Sequence, residues 1–274
     1  MSEVQKIIKY LAIAFALFLT FSIISGIVYA FIAIGNLFDS NQESVTEDLE
    51  TIAIREEETI SSLDLDVSGV NIIVKIGKNF QVQTNSKYIQ MKQENGKLSI
   101  KEKENSWFSS GETAYLIVYI PKEFIFQEVS IEAGAGHVEI EELLSKEMDL
   151  DLGAGQVEIE KLTVLNQTEI DSGAGEVVIQ DSILNNLDLN MGVGKFTLNA
   201  KLVGSSKIDH GVGELRLNLI GTKEDYQIHL NKGLGSTTIQ GAEISDDQTI
   251  GTGSSRLAID GGVGKIDVHF TSNN

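Results

Sequence analysis

Gly-x-Gly recurs eight times, at Gly134/Gly136, Gly153/Gly155, Gly173/Gly175, Gly192/Gly194, Gly211/Gly213, Gly233/Gly235, Gly251/Gly253 and Gly262/Gly264. Glycine-rich loops cradle phosphate when they open a helix whose N-terminus faces the anion. The third glycine of a dinucleotide fingerprint is missing here. His137-Val138-Glu139 follows Gly136 and Gln156-Val157-Glu158 follows Gly155, so these copies lead into alternating strand patterns instead. No cofactor is expected from them.

Carboxylates and amides stand two residues before the first glycine of nearly every copy: Glu132, Asp151, Asp171, Asn190, Asp209, Asn231 and Asp260, with Thr249 as the exception. Calcium would favour such oxygens. The calcium-binding β-roll places an aspartate two residues after its glycines, whereas Gly261-Gly262-Val263-Gly264-Lys265-Ile266 offers isoleucine there. The column reads as turn chemistry, and no metal site is expected. A β-helix enzyme acting on envelope glycans would need two carboxylates in one cleft, and the acids form a ladder instead. His137, His210, His229 and His269 lack metal-ligand spacing, Ser205-Ser206 and Ser254-Ser255 form no nucleophile elbow, and no catalytic residue is assigned. Trp107 and Phe108, on the polar stretch Lys103 to Glu112, are the residues best suited to touch a partner.

The elements that position these residues follow from the period. First glycines are 19, 20, 19, 19, 22, 18 and 11 residues apart. Aliphatic residues precede the acid/amide column (Ile131, Leu150, Ile170, Leu189, Ile208, Leu230, Ile259), and pairs such as Val138/Ile140 and Val157/Ile159 follow the glycines. Alternation at period two means strands with one buried face. Nineteen or twenty residues are too few for a strand-helix-strand unit and sufficient for one coil of a solenoid, which buries its apolar face only against its neighbours. The expected fold is all-β, a parallel β-solenoid (β-helix) of 19–20-residue coils over 131–274, with less regular strands over 61–130. An antiparallel sandwich or β-roll is the rival. Within this scheme Gly134, Gly136, Gly153, Gly155, Gly173, Gly175, Gly192, Gly194, Gly211 and Gly213 are repeat corners, and the short interval from Gly251 to Gly262 marks the closing of the stack.

Ahead of the strands, Tyr10 to Phe38 contains 29 residues without Asp, Glu, Lys or Arg. About 20 apolar residues cross a bilayer as a helix. Residues 10–38 are therefore expected to form a transmembrane signal-anchor. Lys6 and Lys9 keep residues 1–9 cytoplasmic and place the rest outside. A cleaved signal peptide, with Ala33 and Gly35 as the small residues before the cleavage site, is the competing reading, but a signal h-region is only about 7–15 residues long. Residues 39–60 form an acidic spacer, with a short helix expected between Thr46 and Arg55. The chain has no cysteine and a net charge of −19. Disulfides and thiolate chemistry are thereby excluded, and nucleic acid is disfavoured as a partner. The bilayer, another envelope protein or a cationic peptide are compatible partners. So is self-assembly end to end, because only Thr271-Ser272-Asn273-Asn274 follows the last strand.

Taken in order, the anchor, Ser68-Gly69, Gly96-Lys97-Leu98-Ser99-Ile100, Tyr119-Ile120-Pro121 and Val129 to Ile140 with its copies resemble the bacterial β-strand-repeat family DUF4097. Its members are often labelled putative adhesins. The resemblance extends from residue 60 to the end and implies a bacterial envelope location without an established catalytic residue. For relatives in low-GC Gram-positive bacteria it implies an association with envelope-stress regulation. The expected function is that of a non-enzymatic, membrane-anchored interaction, adhesin-like or structural module, with an envelope-stress module contacting cationic peptides or a membrane sensor as the alternative and a glycan-active β-helix enzyme as the second.

Overall fold

The computed structural model describes residues 49–55, 59–103, 113–245 and 247–271. The expected span 10–38 and the pair Trp107/Phe108 lie outside the described residues. Among those described, no helix is long and apolar enough to cross a membrane.

Five long strands carry the regular repeats: β8 (Ile125–Ile140), β9 (Leu143–Ile159), β10 (Leu162–Asn185), β11 (Leu187–Val203) and β12 (Ser205–Ile220). They pair in parallel, each residue opposite its counterpart one repeat on. Ile131 faces Leu150, Leu150 faces Ile170, Ile170 faces Leu189 and Leu189 faces Ile208. All five of these side chains are fully buried. Burying one such side chain contributes roughly 1.5–3 kcal/mol, and that gain is available only when a neighbouring coil covers it. The one 20-residue interval, Gly153 to Gly173, is absorbed by a register shift between Val164 and Gln167. Parallel stacked coils are thus the architecture, and an antiparallel sandwich is not.

The stack does not follow chain order at either end. β2 (Ser62–Val67) and β3 (Asn71–Gly77) pair in parallel with β8 on one side, Leu65 opposite Ile131 and Ile72 opposite Val138. On the other side they pair in parallel with β6 (Lys97–Glu102) and β7 (Tyr115–Pro121). The coil 62–77 therefore lies between the coil 97–121 and β8, although it precedes both in sequence. Beyond it, β4 (Gln81–Thr84) runs antiparallel to β7, β5 (Ile89–Glu94) antiparallel to β6 and β1 (Glu50–Ile52) antiparallel to β4. Of the helix expected between Thr46 and Arg55, residues 46–48 lie outside the described residues, and Glu50–Ile52 is strand, where an open edge of β4 offers backbone partners.

The other end mirrors this arrangement. After β12 the chain passes through a 3-10 turn, Lys223–Asp225, into β13 (Tyr226–Asn231), β14 (Leu234–Ile239), β15 (Ala242–Glu243) and β16 (Gln248–Ile250). It then returns as β17 (Ser255–Asp260) and β18 (Val263–Thr271). Ile259 on β17 pairs with Ile208 of β12 on one side and with Leu230 of β13 on the other; Ile266 on β18 pairs likewise with Leu215 and Thr237. The last coil is inserted between its two predecessors. The end of the stack is instead closed by β16 and β15, antiparallel on β13 and β14. Short antiparallel edges of this kind discourage further strand addition.

Two expectations change accordingly. The short interval before Gly262 does not close the stack, because Gly262/Gly264 sits inside it. Gly251/Gly253 is not a coil corner: Cβ atoms there would overlap the backbone around Asp225 and Tyr226, in the turn that leads to β17.

Candidate interaction surface

Seven Gly-x-Gly units superpose along the stack, and their two glycines are needed for different reasons. A Cβ on Gly192 would overlap the carbonyl oxygen of Gly173 in the adjacent coil, although its φ is unexceptional. Gly194 carries both burdens: φ +141° and a Cβ that would overlap the carbonyl of Gly175. Positive φ of this kind is rarely open to residues with a side chain. The sequence suggests the conformational role, while the close approach of successive backbones appears only in the structure. Gly134 meets Ser68 instead, whose carbonyl accepts the Ala135 N–H at 2.8 Å, so Ser68 to Asn71 serve as the corner of the first coil.

Ahead of the glycines, outward side chains of β8 to β10 form columns. Glu128 stands opposite Glu147; Ser130, Asp149 and Glu169 form a second row; Glu132, Asp151 and Asp171 form a third. Strands are about 4.8 Å apart, so these are like charges at close range, which is destabilising. Burial, then Asp171, Asp151 and Glu128, hold the Asp149 carboxyl above the ordinary aspartate range. Residues 123–188 carry sixteen carboxylates and two lysines, a net of −14, whereas 189–271 carry nine and eight. The rows end in neutralising partners on both sides. On β2, Asp64 meets Lys97 at 3.1 Å and Asp66 meets Lys101 at 3.0 Å. On β11 and β12, Asn190 donates to Asp171 at 2.7 Å, and Lys207 pairs with Asp209 at 2.5 Å.

Beyond the glycines the outward face is mixed. Lys195 pairs with Glu176 and Arg216 with Glu214, both at 2.7 Å, and Lys265 pairs with Asp267. Among the described residues, no group of three or more acids or histidines converges on a point that could hold a metal ion. At the exposed edge of β13, the His229 imidazole lies 3.2 Å from the Thr249 hydroxyl and 3.9 Å from the Asp247 carboxylate. The arrangement concentrates negative charge on the outward face of β8 to β10.

Two open grooves escaped the sequence reading. One, of about 1050 Å³, is lined by Ile52, Ile54, Phe80, Tyr119, Pro121 and Phe124. Phe124 stacks edge-on against both Phe80 and Phe126 at 4.8 Å. The signal available in sequence was Phe124-Ile125-Phe126, separated from the lone proline by Lys122-Glu123. The other, of about 590 Å³, lies under β15 and β16 and includes Ile239, Ile244, Ile250 and Phe270.

The protein-family model described as Toastrack DUF4097 matches residues 60–269. No curated protein matches the chain. Among solved structures, a putative adhesin from Bacteroides fragilis is similar at TM-score 0.53 and 15% identity, covering 80% of this chain and 95% of its own. A putative adhesin from Parabacteroides distasonis reaches TM-score 0.41 at 13% identity, covering 81% and 96%. A putative lipid binding protein from the same species reaches 0.36 at 11% identity, covering 81% and 97%. At 15% identity the likeness to the Bacteroides fragilis structure is one of fold.

Proposed function

The chain belongs to the Toastrack family DUF4097, and from that membership we propose that it is a non-enzymatic interaction module. In this reading, residues 10–38 hold it at the outer face of a bacterial cytoplasmic membrane and the stacked coils present a surface for binding. The observation that carries the reading is the carboxylate face of β8 to β10. Like charges are kept directly opposite one another there at a cost to the fold, which a merely soluble surface could avoid by interspersing lysines as the later coils do.

The same face favours a second, narrower reading: an envelope-stress module whose acidic rows meet cationic peptides. Exposed charge rows attract basic partners with an association rate that falls steeply with salt. The test is titration of the full chain in neutral detergent with a polylysine peptide, against the variant Asp149→Asn/Asp151→Asn/Asp171→Asn. Binding weakened several-fold in the variant and by added salt supports the face as the docking surface. Equal binding by both proteins removes it from consideration.

A further inference from the structure

We propose that His210 is a proton-sensitive latch that holds the last coil, β17 and β18, in its slot between β12 and β13–β14. The coil is bonded on both sides but enters the slot from a turn, and its docking on β12 joins segments 52 residues apart at His210 and Gly262. His210 lies at the junction. Asp209 pairs with Asp260 and Val212 with Val263, so His210 and Gly211 stand opposite Gly261 and Gly262.

In the four preceding coils the position just before the first glycine carries Ala133, Leu152, Ser172 or Met191, and in the β13–β14 coil it carries Lys232. Here a histidine takes it, and the incoming coil answers with an additional glycine, Gly261. The imidazole is 5% exposed. Its Nδ1 accepts the Gly262 N–H at 3.3 Å, which requires an unprotonated Nδ1 and assigns the proton of the neutral ring to Nε2. Nε2 is itself buried without a hydrogen-bond partner.

Protonating the ring changes the contact in kind. Nδ1 becomes a donor aimed at the donor of Gly262, and a cation appears in a buried corner. The charged groups at neighbouring positions give it no relief. Asp209 on β12 is committed to Lys207, Asp260 on β17 accepts from Asn231 at 2.7 Å, and Glu214 on β12 binds Arg216 and lies within 3.7 Å of Lys265 on β18. Lys195 on β11 is paired with Glu176, and Lys232, just after β13 and opposite Gly261, adds a further positive charge, 3.9 Å from Glu243. Burial lowers the His210 pKa from 6.5, opposed only by the Gly213 backbone. A histidine whose folded pKa is depressed contributes stability that is complete above the unfolded value of 6.5 and is lost as pH falls from there toward the lower folded value. Acidification therefore loosens the last coil and leaves the parallel edges of β12 and of β13–β14 unpaired.

Hydrogen exchange of the full chain in neutral detergent, at about pH 7.5 and about pH 5 and corrected for intrinsic rates, tests this. Protection of 255–271 relative to 143–159 should fall about tenfold or more on acidification in the wild type, and not in His210→Met, which copies the residue of the preceding coil. An unchanged ratio in the wild type, a uniform loss across all coils or the same loss in His210→Met would overturn the latch. Should His210→Met not fold, an NMR titration of the wild-type histidine decides: a pKa below 6.5 upholds the latch, and one at or above that value overturns it.

Discussion

The hydroxyl of Tyr226 donates to the carbonyl of Ile220 at 2.7 Å and accepts the N–H of Leu202 at 3.3 Å, while its ring lies 5.9 Å from that of Phe270. Tyr226 opens β13, which is separated from β12 by the inserted last coil. Its side chain reaches past that coil to the two preceding strands, and so helps to fix the out-of-order stacking. Tyr226→Phe keeps the ring and removes the hydroxyl that bonds the buried Leu202 N–H and the part-buried Ile220 carbonyl. The expected cost is about 1–3 kcal/mol in denaturant unfolding, with exchange of 226–239 accelerated more than that of 143–179.

Stacked glycines set a second expectation. Gly192→Ala forces a Cβ into the carbonyl of Gly173 and should cost more than about 3 kcal/mol or prevent folding. At Gly241, φ is +75° but nothing lies within 4 Å of an added Cβ. Alanine there should cost only about 1 kcal/mol. Thermal melts of the two variants side by side check the contrast.

Coil order makes a covalent prediction. Asn218 is the register partner of His269. Stacking in chain order would instead carry it one repeat on, toward Gln240. Because the chain has no cysteine, the double variants Asn218→Cys/His269→Cys and Asn218→Cys/Gln240→Cys report cleanly on this. Mild oxidation should close a disulfide in the first and not in the second, read by gel shift.

Electrostatic crowding on β8 to β10 predicts a stabilising substitution. Burial and three carboxylate neighbours raise the Asp149 pKa. A carboxyl whose folded pKa lies above its unfolded one costs stability above the folded pKa, and the cost is relieved as pH falls. Asp149→Asn should therefore raise the melting temperature modestly at pH 7. The difference from wild type should shrink at low pH and in high salt.

How far the sequence reaches can be judged from particular residues. Ile131, Leu150, Ile170, Leu189 and Ile208 are legible as one buried column because period and alternation are local properties. The insertion of β17 between β12 and β13 is not. Leu257, Ile259, Asp260 and Gly262 present the same column pattern as Ile228, Leu230, Asn231 and Gly233, so either coil satisfies the face of β12. The choice rests on tertiary contacts such as those of Tyr226 and His210. Gly251/Gly253 copies the spacing of a corner for the unrelated reason of a tight turn over Tyr226. The carboxylate rows are legible as a column in the sequence, but their lateral crowding depends on three columns sharing one face.

The functional account depends on display of the coils outside the membrane, and a single accessible thiol tests it. Glu224 is exposed in the turn before β13, and the absence of native cysteine makes Glu224→Cys the only thiol in the chain. In intact protoplasts a membrane-impermeant maleimide should label it as fully as it does after lysis, while Ser2→Cys is labelled only after lysis. Labelling of Glu224→Cys confined to lysed cells would contradict the account.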